Sequence, residues 1–267
     1  MRSIDTEESK QIQLDILSDV HQYCIENNIR YSICYGTLIG AVRHGGFIPW
    51  DDDIDILMER KDYDRFIRSY KSNTHPYYRL HSMETDPGHT LPFAKIEDTR
   101  TVIIERTKGQ HTGVAIDVFP VDSAFDSRDK SLKYIDKITH ARKLYCGKFL
   151  KPTPYNSLSK KIAIRILNIL TAPISLRRLA VWYERKCRQG IEEAQNRGVL
   201  VWGYGRKELF SASVFSNVEL IPFEDRNFFA LTDRHTYLSG LYGDYMQLPP
   251  EDKRHSPHTI EEIYWKE

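Results

Sequence analysis

Residues 50–58 read Trp-Asp-Asp-Asp-Ile-Asp-Ile-Leu-Met, and few folds tolerate that string. Like charges this close repel and raise one another's pKa. Water could relieve them, but the flanks are apolar: Phe47, Ile48, Pro49 and Trp50 precede the acids, and Ile54, Ile56 and Leu57 interleave with them. Acid and apolar residues alternate from Asp53 to Ile56. Strand side chains alternate between faces, so the spacing predicts a strand over 53–58. Asp53 and Asp55 then share one face, about 7 Å apart, and Asp52 points to the other. Acids held at a strand's edge over a cleft call for a cation, and oxygen ligands suit Mg2+ or Mn2+. A surface acidic turn is the plain alternative for any lone Asp-x-Asp, and the apolar interleaving argues against it.

The surroundings sharpen this reading. Upstream, Arg30 to Tyr35 is a short β-prone run, broken by Gly36-Thr37, and Leu38 to Arg43 reads as a short helix ended by Gly45-Gly46. Glycine lets a phosphate approach the backbone, the helix N-terminus offers N–H groups and a favourable dipole, and the Thr37 hydroxyl adds a donor. Arg43 and His44 stand between this turn and the acids as candidate phosphate or acceptor contacts. Downstream, Asp117 lies in the apolar run Gly-Val-Ala-Ile-Asp-Val-Phe. A neighbouring strand could bring it beside Asp53 and Asp55, as third metal carboxylate or general base. Lys95, in Pro-Phe-Ala-Lys-Ile, either binds phosphate and neutralises the acids or is an edge lysine that snorkels.

Elsewhere the pattern predicts helices over 6–27, 59–70 and 233–242, and strands over 77–81, 93–96, 101–105 and 114–119. From about Ser127 to 198 the chain is helical, basic and strand-poor, punctuated by Pro152, Pro154 and Pro173. A mixed tail with turn-like Gly203 and Gly205 follows. The fold class expected is α/β, a mixed sheet flanked by helices over residues 1–125. A largely helical region over 126–267 then packs against it for donor or acceptor binding.

The formal net charge of +1 hides an asymmetry: residues 128–188 hold 16 Lys or Arg against 3 acids. Such a block faces an anionic partner or balances the acidic remainder. No compact basic motif with interleaved aromatics points to nucleic acid. A bilayer surface suits the segment better. No stretch approaches the roughly 18 apolar residues of a membrane span. The charged start MRSIDTEESK lacks a signal core. The cysteines at 24, 34, 146 and 187 form no CxxC pair. Together these predict a cytoplasmic protein, peripheral at most to the inner membrane face. Trp182, Trp202 and Trp265 are candidates for a cage around a quaternary ammonium.

The run from Gly36-Thr37-Leu38-Ile39-Gly40 through Arg43-His44-Gly45-Gly46-Phe47-Ile48-Pro49-Trp50 to Asp51-Asp52-Asp53-Ile54-Asp55 closely resembles the signature of the LicD family. These are phosphocholine and polyol-phosphate transferases of the nucleotidyltransferase-fold superfamily, distantly related to fukutin-related proteins. The resemblance extends through Pro92–Ile96, Ile116–Pro120 and Leu241–Met246. It implies a nucleotidyltransferase-like core and a donor such as CDP-choline. The acceptor it implies is a hydroxyl on a surface glycan, such as a lipopolysaccharide or teichoic acid, or its lipid-linked precursor. It also implies that Asp53 and Asp55 bind metal, with Asp51 close by and Asp117 as third carboxylate. Two other readings stay open: a nucleotidyltransferase acting on a nucleoside triphosphate, and a non-catalytic protein that binds nucleotide or glycan.

Overall fold

The computed structural model describes residues 2–70, 75–105, 113–152, 156–255 and 260–266. Pro154, expected to punctuate the basic segment, lies outside them. In chain order the elements are α1 (Thr6–Glu26), β1 (Ser32–Ile33), α2 (Tyr35–His44), β2 (Asp55–Glu59), α3 (Arg60–Ser69), β3 (Tyr78–His81), β4 (Ala94–Asp98), β5 (Thr101–Glu105) and β6 (Ala115–Ser123). Then come α4 (Arg128–Gly147), α5 (Leu158–Thr171), α6 (Leu176–Cys187), β7 (Asn196–Gly198), β8 (Phe210–Ser211), β9 (Val218–Phe223), β10 (Arg226–Leu231), α7 (Arg234–Tyr242) and β11 (Ile260–Trp265).

The architecture is mixed α/β, as expected. The main sheet runs β3-β4-β6-β2-β1-β10-β9, and β7 and β8 extend it from the far end of β6. β2 lies parallel to β6 and β1 parallel to β10; the other pairs are antiparallel. Ile56, Leu57 and Met58 on β2 and Val118 to Val121 on β6 are buried without a break, as central parallel strands covered on both faces must be. α1 starts where the Asp5 carboxylate accepts the Glu8 N–H at 2.8 Å, and it buries the fourfold-spaced Ile12, Ile16, Val20 and Cys24. Its Tyr23 meets Phe66 and Tyr70 at the end of α3.

The basic segment folds as three helices, each capped by a serine: Ser127, Ser157 and Ser175 accept the N–H of Lys130, Lys160 and Arg178. α4 and α6 join through stacked Tyr145 and Tyr183, 5.4 Å between ring centres. The Tyr134 hydroxyl donates to the Lys186 carbonyl at 2.7 Å. No helix among the described residues is long and apolar enough to cross a membrane.

Among the differences from the sequence expectation, two frame the site. The first is the β9–β10 hairpin, which puts residues 218–231 into the same sheet as β1 and β2. Its turn carries Glu224 at φ 55°, where glycine or asparagine is the usual occupant, so the turn had no sequence signature. The Glu224 carboxylate accepts the Phe47 N–H at 2.8 Å, tying the hairpin to the loop after α2. The second is that β2 begins only at Asp55, and Asp51, Asp52 and Asp53 occupy the irregular loop before it.

Candidate active site

The site is built on one row of the sheet. Asp55 at the start of β2 is in register with Asp117 on β6, and Asp117 with Lys95 on β4. Directly paired residues share a face, so three neighbouring strands present a carboxylate, a carboxylate and an ammonium side by side. Lys95 Nζ donates to Asp117 Oδ1 at 2.5 Å. His81 on β3 continues the row beside Lys95, and its Nδ1 lies 2.9 Å from Asp86 Oδ2. Sequence reading passed over His81 because only strand pairing, not spacing, places it here.

The turn into α2 closes over this row. Tyr35 takes a left-handed backbone, φ 47°, which costs a non-glycine residue on the order of 1 kcal/mol. Its buried ring is held by Phe119 and Tyr237, and its hydroxyl donates to Glu208 Oε1 at 3.0 Å. That bend starts α2 at Tyr35, so Gly36 and Thr37 sit in the helix's first turn and not in a break before it. The N-cap residue, Cys34, makes no side-chain cap bond, and a helix start of this kind suits an incoming phosphate. A Cβ on Gly36 would stand 2.3 Å from Asp51 Oδ2, so glycine is what leaves that carboxylate where it lies. Thr37 is buried, and its Oγ1 accepts the Asp55 N–H at 2.9 Å. The hydroxyl therefore anchors the first residue of β2 and keeps its own hydrogen to donate.

The loop corrects the alternation argument. With no strand at 51–54, Asp52 does not turn away. Asp51, Asp52 and Asp53 each offer a carboxylate oxygen, all within 4.8 Å of one another. The Gln13 amide holds the loop by donating to the Asp52 carbonyl at 2.8 Å. Burial, followed by Asp53, Asp117 and Asp51, holds the Asp55 carboxyl well above the usual carboxylate range, and Lys95 pulls it back only partly. Burial pulls the Lys95 ammonium down, but Asp117, Asp55 and Asp53 outweigh it and the net shift is upward. Crowded all-oxygen donors beside a half-buried row suit a hard divalent cation, which would relieve this repulsion. Asp51, Asp52 and Asp53 are close enough together to share such an ion, and Asp55 and Asp117, expected to join Asp51 and Asp53 as its ligands, lie in the adjoining row.

Arg43 and His44 are placed differently from the rest. The Arg43 guanidinium donates to the Tyr245 carbonyl at 2.6 Å, fastening the segment after α7. His44 is exposed and meets Trp50 edge-on, 6.2 Å between ring centres.

Sequence spacing also missed an aromatic wall. Trp202 packs on Phe93, Phe93 on Phe119, Phe119 on Tyr35, Tyr35 on Tyr204 and Tyr204 on Tyr242, with ring centres 4.6–6.0 Å apart. Gly203 and Gly205, at φ 78° and 64°, shape the loop that carries its exposed members, Trp202 and Tyr204. Although much of the Tyr204 ring is exposed, partial desolvation raises its phenol, a bond with Tyr242 offsets part of this, and Glu208, Asp55 and Asp51 push it further up. The wall thus stands within electrostatic reach of the acids. Trp265, by contrast, is engaged by Glu8, Arg2 and Arg100. Trp182 lies on α6.

Not every charged hollow belongs to this site. A cavity of about 610 Å³ lies at the opposite ends of β2 and β6, between Glu59, Arg60, Asp122 and Arg197, and those four pair among themselves.

Comparison with known proteins adds the following. The model of the LicD/FKTN/FKRP nucleotidyltransferase domain matches residues 28–159. The chain is 33% identical to the lipopolysaccharide cholinephosphotransferase LicD of Haemophilus influenzae over 99% of both chains. It is also 48% identical to an uncharacterised protein of Rickettsia typhi, over 21% of this chain and 18% of that one. A second, from Rickettsia prowazekii, is 51% identical over 18% of each.

Proposed function

The chain belongs to the LicD family of transferases, and from that premise we propose that it moves phosphocholine from CDP-choline onto a hydroxyl of a cell-surface glycan or its lipid-linked precursor. The observation that carries this is the row Asp55–Asp117–Lys95 beside the first turn of α2. It offers a place for a diphosphate, for the charge a leaving nucleotide develops, and for a proton.

In this reading Gly36 and the Thr37 hydroxyl receive phosphate oxygens, and Lys95 faces the charge that grows on the departing CMP. Asp117 takes the proton of the acceptor hydroxyl as its oxygen attacks the distal phosphorus in line. Mg2+ or Mn2+ bound by Asp51, Asp53, Asp55 and Asp117 would supply Lewis-acid stabilisation of the transferred phosphoryl group. Arg43 contributes by holding the segment after α7 in place, and exposed His44 is left as a contact for the acceptor. The faces of Trp202 and Tyr204 receive the quaternary ammonium, an attraction worth about 0.5–2 kcal/mol.

The test is a donor screen with purified full-length protein, Mg2+ and a lipopolysaccharide-type acceptor, read by mass spectrometry. CMP release with a phosphocholine gain on the acceptor is expected. Asp55→Asn and Asp117→Asn should each lower the rate at least about a hundredfold and leave thermal melting intact. Trp202→Ala should raise KM for CDP-choline and leave KM for CDP-ribitol unchanged. Pyrophosphate from a nucleoside triphosphate would replace this reading by nucleotidyl transfer. Metal-dependent stabilisation without turnover on any donor would replace it by binding alone.

A further inference from the structure

α5 presents to solvent what a helix ordinarily hides. Leu158, Ile162, Ile166, Ile169 and Leu170 are exposed, from 49% to 74%, and they recur at three- and fourfold spacing along one stripe. The opposite side faces the protein. Ile164 and Thr171 are buried, Leu167 meets Gly147 at the end of α4, and the Asn168 amide donates to the Leu150 carbonyl at 3.2 Å. Phe149 and Leu150, also exposed, continue the apolar surface beyond α4.

Charge indicates what covers the stripe. Ten Lys or Arg and no acid lie between Asp136 and Glu184, so no carboxylate of this segment balances them. Arg165 borders the stripe on α5, Lys160 lies in the first turn of the helix and Lys151 precedes it in the chain, all exposed. An apolar stripe bordered by cations suits a surface whose interior is apolar and whose face is anionic. A second copy of the chain would set these cations against themselves.

We propose that α5 lies in the plane of an anionic bilayer surface, its stripe among the acyl chains and its lysines and arginines at the headgroups. The proposal does not need the transfer reading, although a lipid-linked acceptor would sit at the same surface. α4 joins this platform to the active centre. Its Tyr145 hydroxyl donates to the Thr90 carbonyl at 2.9 Å, ahead of Lys95, and its Arg142 donates to the Gly203 carbonyl at 3.0 Å, beside Trp202. Docking of α5 would therefore hold the segments that carry Lys95 and Trp202 in a fixed relation to the membrane.

The test is flotation of the full-length protein with vesicles of phosphatidylcholine alone or with one-third phosphatidylglycerol. Binding to the anionic vesicles is expected, weakening as salt rises. Lys160→Gln with Arg165→Gln should weaken it about 25-fold, at about fivefold per cation. Ile162→Glu with Ile166→Glu should abolish it. Both positions are exposed, so melting temperature and CMP release with a water-soluble acceptor should stay unchanged, which separates failure of docking from failure of the proposed chemistry. The proposal is overturned by absence of flotation with anionic vesicles, by equal flotation with both kinds, or by a lipid-free dimer that Ile162→Glu with Ile166→Glu dissociates.

Discussion

Replacing Glu208 by Gln should change how the stability of this protein depends on pH. Glu208 is 1% exposed, and among the described residues only the Val199 backbone N–H joins the Tyr204 N–H and the Tyr35 hydroxyl in favouring its charged form by hydrogen bonding. Burial pushes its carboxyl from the ordinary 4.5 up to about 7, although the Tyr204 N–H and the Tyr35 hydroxyl, each 3.0 Å from Oε1, favour the anion. An acid with a raised folded pKa binds its proton more tightly when folded. Its stabilisation is therefore complete below the unfolded value of 4.5 and is lost as pH rises through about 7. The displacement corresponds to about 3 kcal/mol at full loss, and to about 2.5 kcal/mol between pH of about 5 and 8.5. Gln keeps the carbonyl that accepts both bonds and has no proton to lose. Urea denaturation of both proteins across that range gives the difference between them at each pH. The wild type should lose about 2.5 kcal/mol relative to the variant as pH rises. A flat difference would show that Glu208 does not change charge in this window, and the burial argument would fail.

Two further perturbations follow from close contacts. Gly36→Ala places a methyl 2.3 Å from Asp51 Oδ2; a carboxylate end can swing aside, so thermal melting should barely move while turnover falls by up to about a hundredfold through misplacement. A large drop in melting temperature would mean the glycine serves the fold. Asp122→Ala removes the bidentate partner of Arg60, at 2.7 and 2.9 Å, and should cost about 3 kcal/mol in denaturant unfolding; a loss under about 1 kcal/mol would show that Asp64 and Glu184 suffice to pair Arg60.

The chemistry of the site was legible where it depends on residue type, and the geometry was not. Asp55, Asp117 and Lys95 each announced themselves as a charge in an apolar run, because such a residue needs a partner wherever it is buried. That all three share one row is a matter of strand order and register, which a local pattern does not encode. The alternation from Asp53 to Ile56 pointed to a strand two residues early. Carboxylates crowded at 51–53 gather in a loop, where the backbone can bring all three together, and strand alternation would have sent Asp52 elsewhere. The β9–β10 hairpin escaped because Glu224 turns the chain with no glycine or asparagine to mark it. Trp202 was suspected as part of a cage from its residue type alone, whereas Tyr204 and Tyr242 joined the wall only once residues 200–242 folded back over Tyr35.

β1 is two residues long, and among the described residues one of its edges is covered by β10 alone, through the pairing of Ile33 with Ala230. During synthesis, about 110 residues must still leave the ribosome between Asp117 and the start of β10. At roughly 5–20 residues per second, this nascent chain spends on the order of ten seconds with that edge bare. A stalled or prematurely released chain would carry every carboxylate of the active centre and an open strand edge besides, a form more apt to aggregate than to turn over substrate.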